Sequence, residues 1–381
     1  MHLMIVGTRG IPATHGGFET FAEDLSLFLA ARNHQVTVYC HAHKHSERAE
    51  DIWNGIHRVL IPAAANPIGT VLFDWATTMH ASSREGVVLC LGYNTAVFSL
   101  LYKFRHLPIV INMDGIEWKR DKWALPQRLW LRLNEWAGAR LANHLIADHP
   151  EIAAHLQSHT SRNKISVIPY GADAITSAPT EPLSRYELSP NSYYLLIARP
   201  EPENSILEIV LSASSAHVNV PLVVLGDYSG ELRPYQRQIL QAAGPNLKFI
   251  GAVYDREIVR ALRFHAKAYI HGHRVGGTNP SLVESLAAGN PIIAHDNRFN
   301  RWVAGEGARF FRDSSDLGQI LRSLEGDPSQ LLAMGEASRR RHREDFTQER
   351  VLSAYEVLLT GIAANTGERL PIVTAEQSPG S

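Results

Sequence analysis

Cysteine is nearly absent: the 381 residues hold two, Cys40 and Cys90, each inside an apolar strand-like run. That excludes a disulfide framework and predicts buried free thiols in a reducing compartment. Neither sign of charge is in excess, with 37 Lys and Arg against 38 Asp and Glu, so no whole-molecule attraction to nucleic acid or anionic lipid is expected. Long apolar runs are also missing. The most apolar stretch, GVVLCLGYNTAVFSLLYKF, is broken by Gly, Asn and Thr and is too short to span a bilayer. The opening residues lack the charged region, apolar core and cleavage site of a signal peptide, which predicts the cytoplasm. No GxGxxG follows the first apolar run, and no GK[ST] occurs. Neither an NAD-binding fingerprint nor an ATP-hydrolysing loop is therefore indicated.

What is present is an α/β rhythm that runs twice. In the first half, strands are expected at Leu3–Val6, Gln35–Cys40, Gly86–Leu91, Ile109–Met113, His144–Ile146 and Ile165–Ile168. Helices are expected between them, including Phe18–Leu29 and Gln127–Arg140. The stretch Gly171–Ser192, rich in Pro, Ser and Thr, reads as a hinge. The rhythm restarts with Tyr193–Ile197, Leu222–Leu225, Leu247–Ile250, Ala268–His271, Pro291–Ala294 and Ala308–Phe311. This length and order predict two parallel, doubly wound domains, residues 1–175 and 190–345, with a ligand cleft at their strand carboxyl ends. A helix over 346–364 and a disordered tail over 366–381 follow.

Two loops carry the chemistry. The first, VGTRGIPATHGGFE, places Gly16 and Gly17 ahead of a helix, where bare amides favour an anion. The same pair also reads as a tight turn. The second, HGHRVGGTNPSLVES, sets Gly276 and Gly277 before Thr278 or Asn279 as N-cap and Pro280 at the first helical position. By periodicity alone, Glu284 points off the apolar face of Leu282, Val283 and Leu286, as a solvated glutamate would.

The segments IVGTRGIPATHGGFETF, NMDGIEWKRDKW, VIPYGAD, ARPEPEN, HGHRVGGTNPSLVES and AHDNRFNRWV span nearly the entire chain in order. They resemble family 4 glycosyltransferases of the GT-B fold, in particular the bacterial rhamnosyltransferase-like branch. The resemblance implies two Rossmann-like domains facing across a cleft, with the last helix crossing back to the first domain. The first domain would take the acceptor and the second the donor.

The resemblance also assigns roles. Glu284 would hold the nucleotide ribose, a task suited to a carboxylate that only accepts hydrogen bonds. Arg199 would sit beside the donor diphosphate and, with Asp114, act in catalysis. Gly16, Gly17, Gly276, Gly277, Thr278 and Asn279 would line the donor. Arg9, Glu117, Lys122 and His271 are the expected sugar or acceptor contacts, with Glu117 and Lys122 equally readable as an ion pair holding their loop. Two positions depart from the family pattern: Gly276 stands where a glutamate is expected, and Asn204 where a lysine is.

No Asp-x-Asp triplet occurs, so no metal is expected, and the co-substrate would be a nucleotide-diphosphate sugar without a further cofactor. The alternating His41, His43 and His45 lack Cys or acidic partners at ligand spacing. The run Arg339–Arg343 reads as a solvated helix face, or else as a membrane-surface contact. The implied reaction is retaining sugar transfer to a hydroxyl of a bacterial cell-surface saccharide, with a lipid-linked acceptor at the inner face of the cell membrane. A sugar-nucleotide epimerase and a non-catalytic saccharide-binding relative are the rival readings.

Overall fold

The computed structural model describes residues 1–13, 16–119, 123–216 and 219–364. The chain forms two compact units: Met1–Pro169 together with the stretch from Leu352, and Tyr170–Val351. The tail expected at 366–381 and the candidate Lys122 lie outside the described residues.

The first unit runs β1 (His2–Val6), α1 (Gly17–Ala30), β2 (Gln35–Ala42), β3 (Ala49–Trp53), β4 (Ile56–Pro62) and α2 (Pro67–Ala81). It continues with β5 (Val87–Leu91), α3 (Ser99–Phe104), β6 (Ile109–Asn112) and α4 (Leu125–Leu141). β7 (His144–Ala147), α5 (Pro150–Leu156) and β8 (Ile165–Val167) complete its sheet, ordered β3-β4-β2-β1-β5-β6-β7-β8. Strands such as Leu3–Ile5 and Val88–Leu89 are wholly buried, as a parallel sheet covered on both faces requires. The exception is β3, antiparallel to β4 and exposed along Ala49–Ile52. The hairpin turns at Asn54 and Gly55, both left-handed at φ 48° and 80°. Asn-Gly is the local signal for such a turn, and it stands in the sequence. The hairpin is absent from the strand pattern above because β3, AEDIW, has no apolar alternation.

The connections reverse direction between β1 and β5, so loops after these strands flank a switch point. Gly7 belongs to that crossing: its φ is 78°, and a Cβ there would lie 2.5 Å from the Leu91 carbonyl oxygen. Right-handed crossovers place α1 on one face of the sheet and α2 to α5 on the other.

The second unit contains α6 (Glu181–Ser184), β9 (Tyr194–Ile197), α7 (Ile206–Ser215), β10 (Leu222–Leu225), α8 (Pro234–Ala242), β11 (Leu247–Gly251) and α9 (Arg256–Phe264). Then come β12 (Ala268–His271), α10 (Pro280–Ala287), β13 (Ile292–His295), α11 (Arg298–Ala304), β14 (Arg309–Phe311), α12 (Ser314–Glu325) and α13 (Pro328–Asp345). Its parallel sheet has the order β11-β10-β9-β12-β13-β14, with the reversal between β9 and β12. Alternate residues feed opposite layers: Leu196, Val224, Ile270 and Ile293 enter one core, Leu195, Val223, Tyr269 and Ile292 the other. Each such side chain contributes about 2 kcal/mol on burial.

Two expectations change here. The Gly171–Ser192 stretch is docked on the second unit rather than left as a bare hinge. Ile175 N–H donates to the Ala287 carbonyl at 3.0 Å, and the Ser177 and Ala178 carbonyls meet Arg260 and His265. The arginine run on α13 is likewise not a uniform solvated face. His342 is buried against the Ala172 carbonyl at 2.8 Å, and Arg341 lies over Trp302 and Phe346 while pairing with Asp345.

The last helix, α14 (Gln348–Ala364), carries the chain back into the first unit from Leu352. Tyr355 packs on Phe21 of α1 with ring centroids 4.7 Å apart, and its hydroxyl accepts from Asn112 Nδ2 at 2.8 Å. Glu356 meets Arg32 and His34. Both cysteines are free; Cys40 is buried and Cys90 is half-buried.

Candidate functional site

In the second unit, the loops after β9 and β12 leave neighbouring strands at the switch point, the place where open parallel sheets bind ligands. Arg199 follows β9 and is exposed. Among the described residues its guanidinium has no hydrogen-bond or ion-pair partner, while its backbone is tightly held. The Arg199 carbonyl accepts from Asn204 Nδ2 at 2.8 Å and from Glu201 N–H at 2.7 Å. Asn204 is buried, so this departure from the family pattern is an internal brace for the turn that presents Arg199.

The two loops are also tied to each other. Arg274 N–H donates to the Glu203 carbonyl at 2.9 Å, its Nε to Ser205 Oγ at 2.7 Å, and its guanidinium pairs with Glu208. Arg274 is therefore a loop strap. Gly272 permits this approach, since a Cβ there would stand 2.2 Å from the Asn204 carbonyl oxygen.

Asn279 caps α10, its side chain accepting from Ser281 N–H at 3.0 Å, and Pro280 follows. Thr278 is buried. Gly276 adopts φ 125°, a region closed to ordinary side chains, although nothing would crowd a Cβ there. The missing glutamate at this position is thus a matter of backbone conformation, not of space.

Glu284 pairs with Arg263 of α9. The arginine side chain is 4% exposed and the glutamate 43%, so a buried cation holds a carboxylate that faces outward. Arg263 also donates to Ser281 and Ser285 Oγ; Ser281 Oγ meets the Tyr269 hydroxyl at 2.8 Å, which donates to the Ile197 carbonyl at 3.3 Å. This chain connects the end of β9 to the ribose candidate. Periodicity could not find Arg263, which lies 21 positions before Glu284 on another helix.

His271 differs from the expectation of a sugar contact: its ring is wholly buried and stacks on His273, centroids 4.4 Å apart. Burial, with His273, Arg263 and His295 near it, pushes the imidazole well below its ordinary range, so it is neutral at physiological pH. Direct sugar contact would require uncovering this ring.

In the first unit, the glycine loop spends amides internally. Glu19 Oε1 accepts from Arg9 N–H at 3.1 Å, and Glu23 accepts from Ala13 N–H. Gly16, at φ 103°, forms the N-cap of α1 without a side-chain cap, whereas a Cβ on Gly17 would meet nothing. Beside this loop is a pocket of about 270 Å³ lined by Arg9, Glu19, His41 and Leu60, which places Arg9 at a concave surface.

Asp114 stands just past β6 with φ 43°, a strained setting for a non-glycine residue, and its N–H donates to Asn112 Oδ1 at 2.9 Å. Glu117 N–H donates to the Tyr93 hydroxyl at 2.8 Å. The next residue anchors a group that sequence reasoning missed. Trp118 Nε1 donates to Glu135 Oε2 at 3.0 Å, while His155 and His159 approach Glu135 Oε1 at 2.9 and 3.3 Å. The four-residue histidine spacing was its only local sign. Among the described residues these three, rather than His41, His43 and His45, have ligand atoms grouped at metal-like separations. His41 instead packs on Phe73.

Residues 189–341 match the family model described as glycosyl transferases group 1, and residues 1–173 match one described as a domain of unknown function, DUF1972. No curated protein matches the chain. Similar solved structures include sucrose-phosphate synthase from Thermosynechococcus elongatus, at 15% identity and TM-score 0.76, covering 95% of this chain and 99% of that one. HepE from Anabaena in complex with UDP is 16% identical, with TM-score 0.72 over 94% and 99% of the two chains. A UDP-forming trehalose-phosphate synthase from Burkholderia vietnamiensis is 11% identical, with TM-score 0.73 over 95% and 100%. At these identities the structural likeness shows the two-domain α/β fold alone. The chain carries a glycosyl transferases group 1 domain within a GT-B fold, and these findings together support a glycosyltransferase.

Proposed function

We propose that the protein transfers a sugar from a nucleotide-diphosphate donor to a hydroxyl of a bacterial cell-surface saccharide carried on lipid. The observation that carries this reading is the placement, at one switch point, of an exposed Arg199, unpartnered among the described residues, and a carboxylate braced by a buried arginine. The second unit binds the donor: Glu284 accepts from the ribose hydroxyls, and the amides of Gly277, Thr278 and Asn279 at the start of α10 receive the diphosphate. Arg199 stabilises the charge that grows on the departing diphosphate. Structural neighbours crystallised with UDP support a nucleoside diphosphate as ligand class. A rhamnosyl donor is the reading from the branch resemblance.

The first unit binds the acceptor, with Arg9, Asp114 and Glu117 as the contacts to test. Transfer proceeds with retention and without a metal, the donor phosphate taking the acceptor proton, so that positioning and charge stabilisation supply the catalysis. Gly276 and Asn204 favour one second reading, a saccharide-binding relative without turnover. A thermal-shift panel of nucleoside diphosphates and nucleotide sugars, followed by product analysis with a lipid-linked acceptor, separates the two. Stabilisation by a nucleotide sugar together with a lengthened, EDTA-insensitive glycan product is expected; absence of nucleotide-sugar binding would favour the second reading.

A further inference from the structure

The helices on one face of the first unit are apolar on the wrong side. On α2, Gly69, Phe73, Thr77, Thr78 and Ala81 point inward. Ile68, Leu72, Trp75 and Met79 occupy the outward face, with Leu72 61% exposed. α4 repeats the inversion. Its buried positions include Asn134, Glu135 and Gly138, while Leu125, Leu129, Leu133 and Trp136 form a solvent stripe at spacings of four, four and three. α3 lies between them and adds Leu100 and Phe104, the latter 71% exposed. Trp75 packs on Phe98 at the foot of α3 with ring centroids 5.2 Å apart, which joins the surfaces of α2 and α3. A soluble face of three adjacent helices ordinarily shows the reverse pattern, and a continuous apolar surface of this kind marks an interaction site.

Its charge identifies the occupant. Lys103, Arg105, Arg132 and Arg140 are exposed on or beside these helices. The acids of the same helices are turned away: Asp74 accepts from Thr95 Oγ1 at 2.8 Å, and Glu135 is buried in the His155–His159 group. Arginine and lysine around outward Leu and Trp, with no exposed carboxylate on α2, α3 or α4 themselves, fit an anionic bilayer surface, where indoles sit at headgroup depth and long cations reach the phosphates. No described helix is long and apolar enough to cross a membrane. The geometry points to α2, α3 and α4 as a surface that lays the first unit onto anionic lipid. This deepens the lipid-linked acceptor reading above and replaces the α13 arginines as the place of contact.

Vesicle sedimentation tests it, using the full chain with phosphatidylglycerol-containing vesicles and with pure phosphatidylcholine. The wild-type protein is expected to bind the anionic vesicles, and less at high salt. A Leu72→Glu/Leu129→Glu variant should lose at least about tenfold in binding, since each charge must enter the interface. A Lys103→Gln/Arg132→Gln variant should lose about fivefold per cation. Arg340→Gln on α13 should bind as wild type does. Circular dichroism verifies folding, and the glutamine variant keeps the test decisive if the glutamate variant unfolds. Nucleoside-diphosphate affinity should be unchanged throughout, so failure of the donor reading registers separately. Absence of wild-type vesicle binding overturns the inference, as does retained binding by both double variants. An oligomer that the glutamate variant converts to monomer, without vesicle binding, would assign the surface to a second copy of the chain.

Discussion

The two glycine loops resemble each other in sequence and differ in what they leave available. Both follow a strand at the switch point of a parallel sheet and enter a helix. In the first, Glu19 and Glu23 reach back from α1 and occupy loop amides, placing negative charge beside any incoming anion. In the second, α10 has no acid in its first turn; its carboxylate, Glu284, comes one turn later and is turned toward Arg263. Glycine content therefore does not distinguish an anion site from a braced turn. The disposition of nearby carboxylates does.

The largest test of that contrast is Arg199→Ala. It should lower turnover about 100-fold with little change in donor affinity, because the guanidinium acts on charge that develops during bond cleavage. Steady-state kinetics separate the two effects. Glu284→Ala should weaken donor binding about tenfold or more by calorimetry, the loss of charge-assisted hydrogen bonds to the ribose. Arg263→Met should weaken it in the same direction through loss of orientation alone. On the first loop, Glu19→Gln should cost about 1 kcal/mol in chemical denaturation and leave donor affinity within about threefold. A large fall in donor affinity would instead make the first loop a phosphate site and erase the contrast.

A last test concerns the interior of the first unit. Burial pushes the Asp74 carboxyl up to about 6, against its hydrogen bond from Thr95, in a small cavity that also borders Cys90. The folded state thus holds this proton more tightly than the unfolded chain. The stabilisation is complete below about pH 4 and is lost as pH rises through about 6, a difference of about 3 kcal/mol at most. Asp74→Asn should flatten that slope and raise Tm at pH 8, measured by thermal melts across pH.

Much of the architecture was legible because its signals are local. Leu222–Leu225 and Ala268–His271 are strands in both readings, as β-branched and apolar runs between turn residues. The β3–β4 hairpin escaped, despite its Asn-Gly turn, since an exposed polar edge strand shows no apolar alternation. At the candidate site, the loops and Glu284 were visible as motifs, whereas Arg263, the Asn204 brace and the Glu135 group were not. Each depends on side chains from different helices or loops meeting in space.

The sequence by itself determined two successive α/β halves, their glycine loops and the absence of a dinucleotide or Walker loop, since each is written within a few consecutive residues. Tertiary structure decided which amides are spent, which carboxylate is held and which histidine is buried. It also decided that the Leu and Trp stripe of α4 faces solvent. Helical periodicity reports that a helix has an apolar side, but only packing against the sheet sets the direction in which that side points.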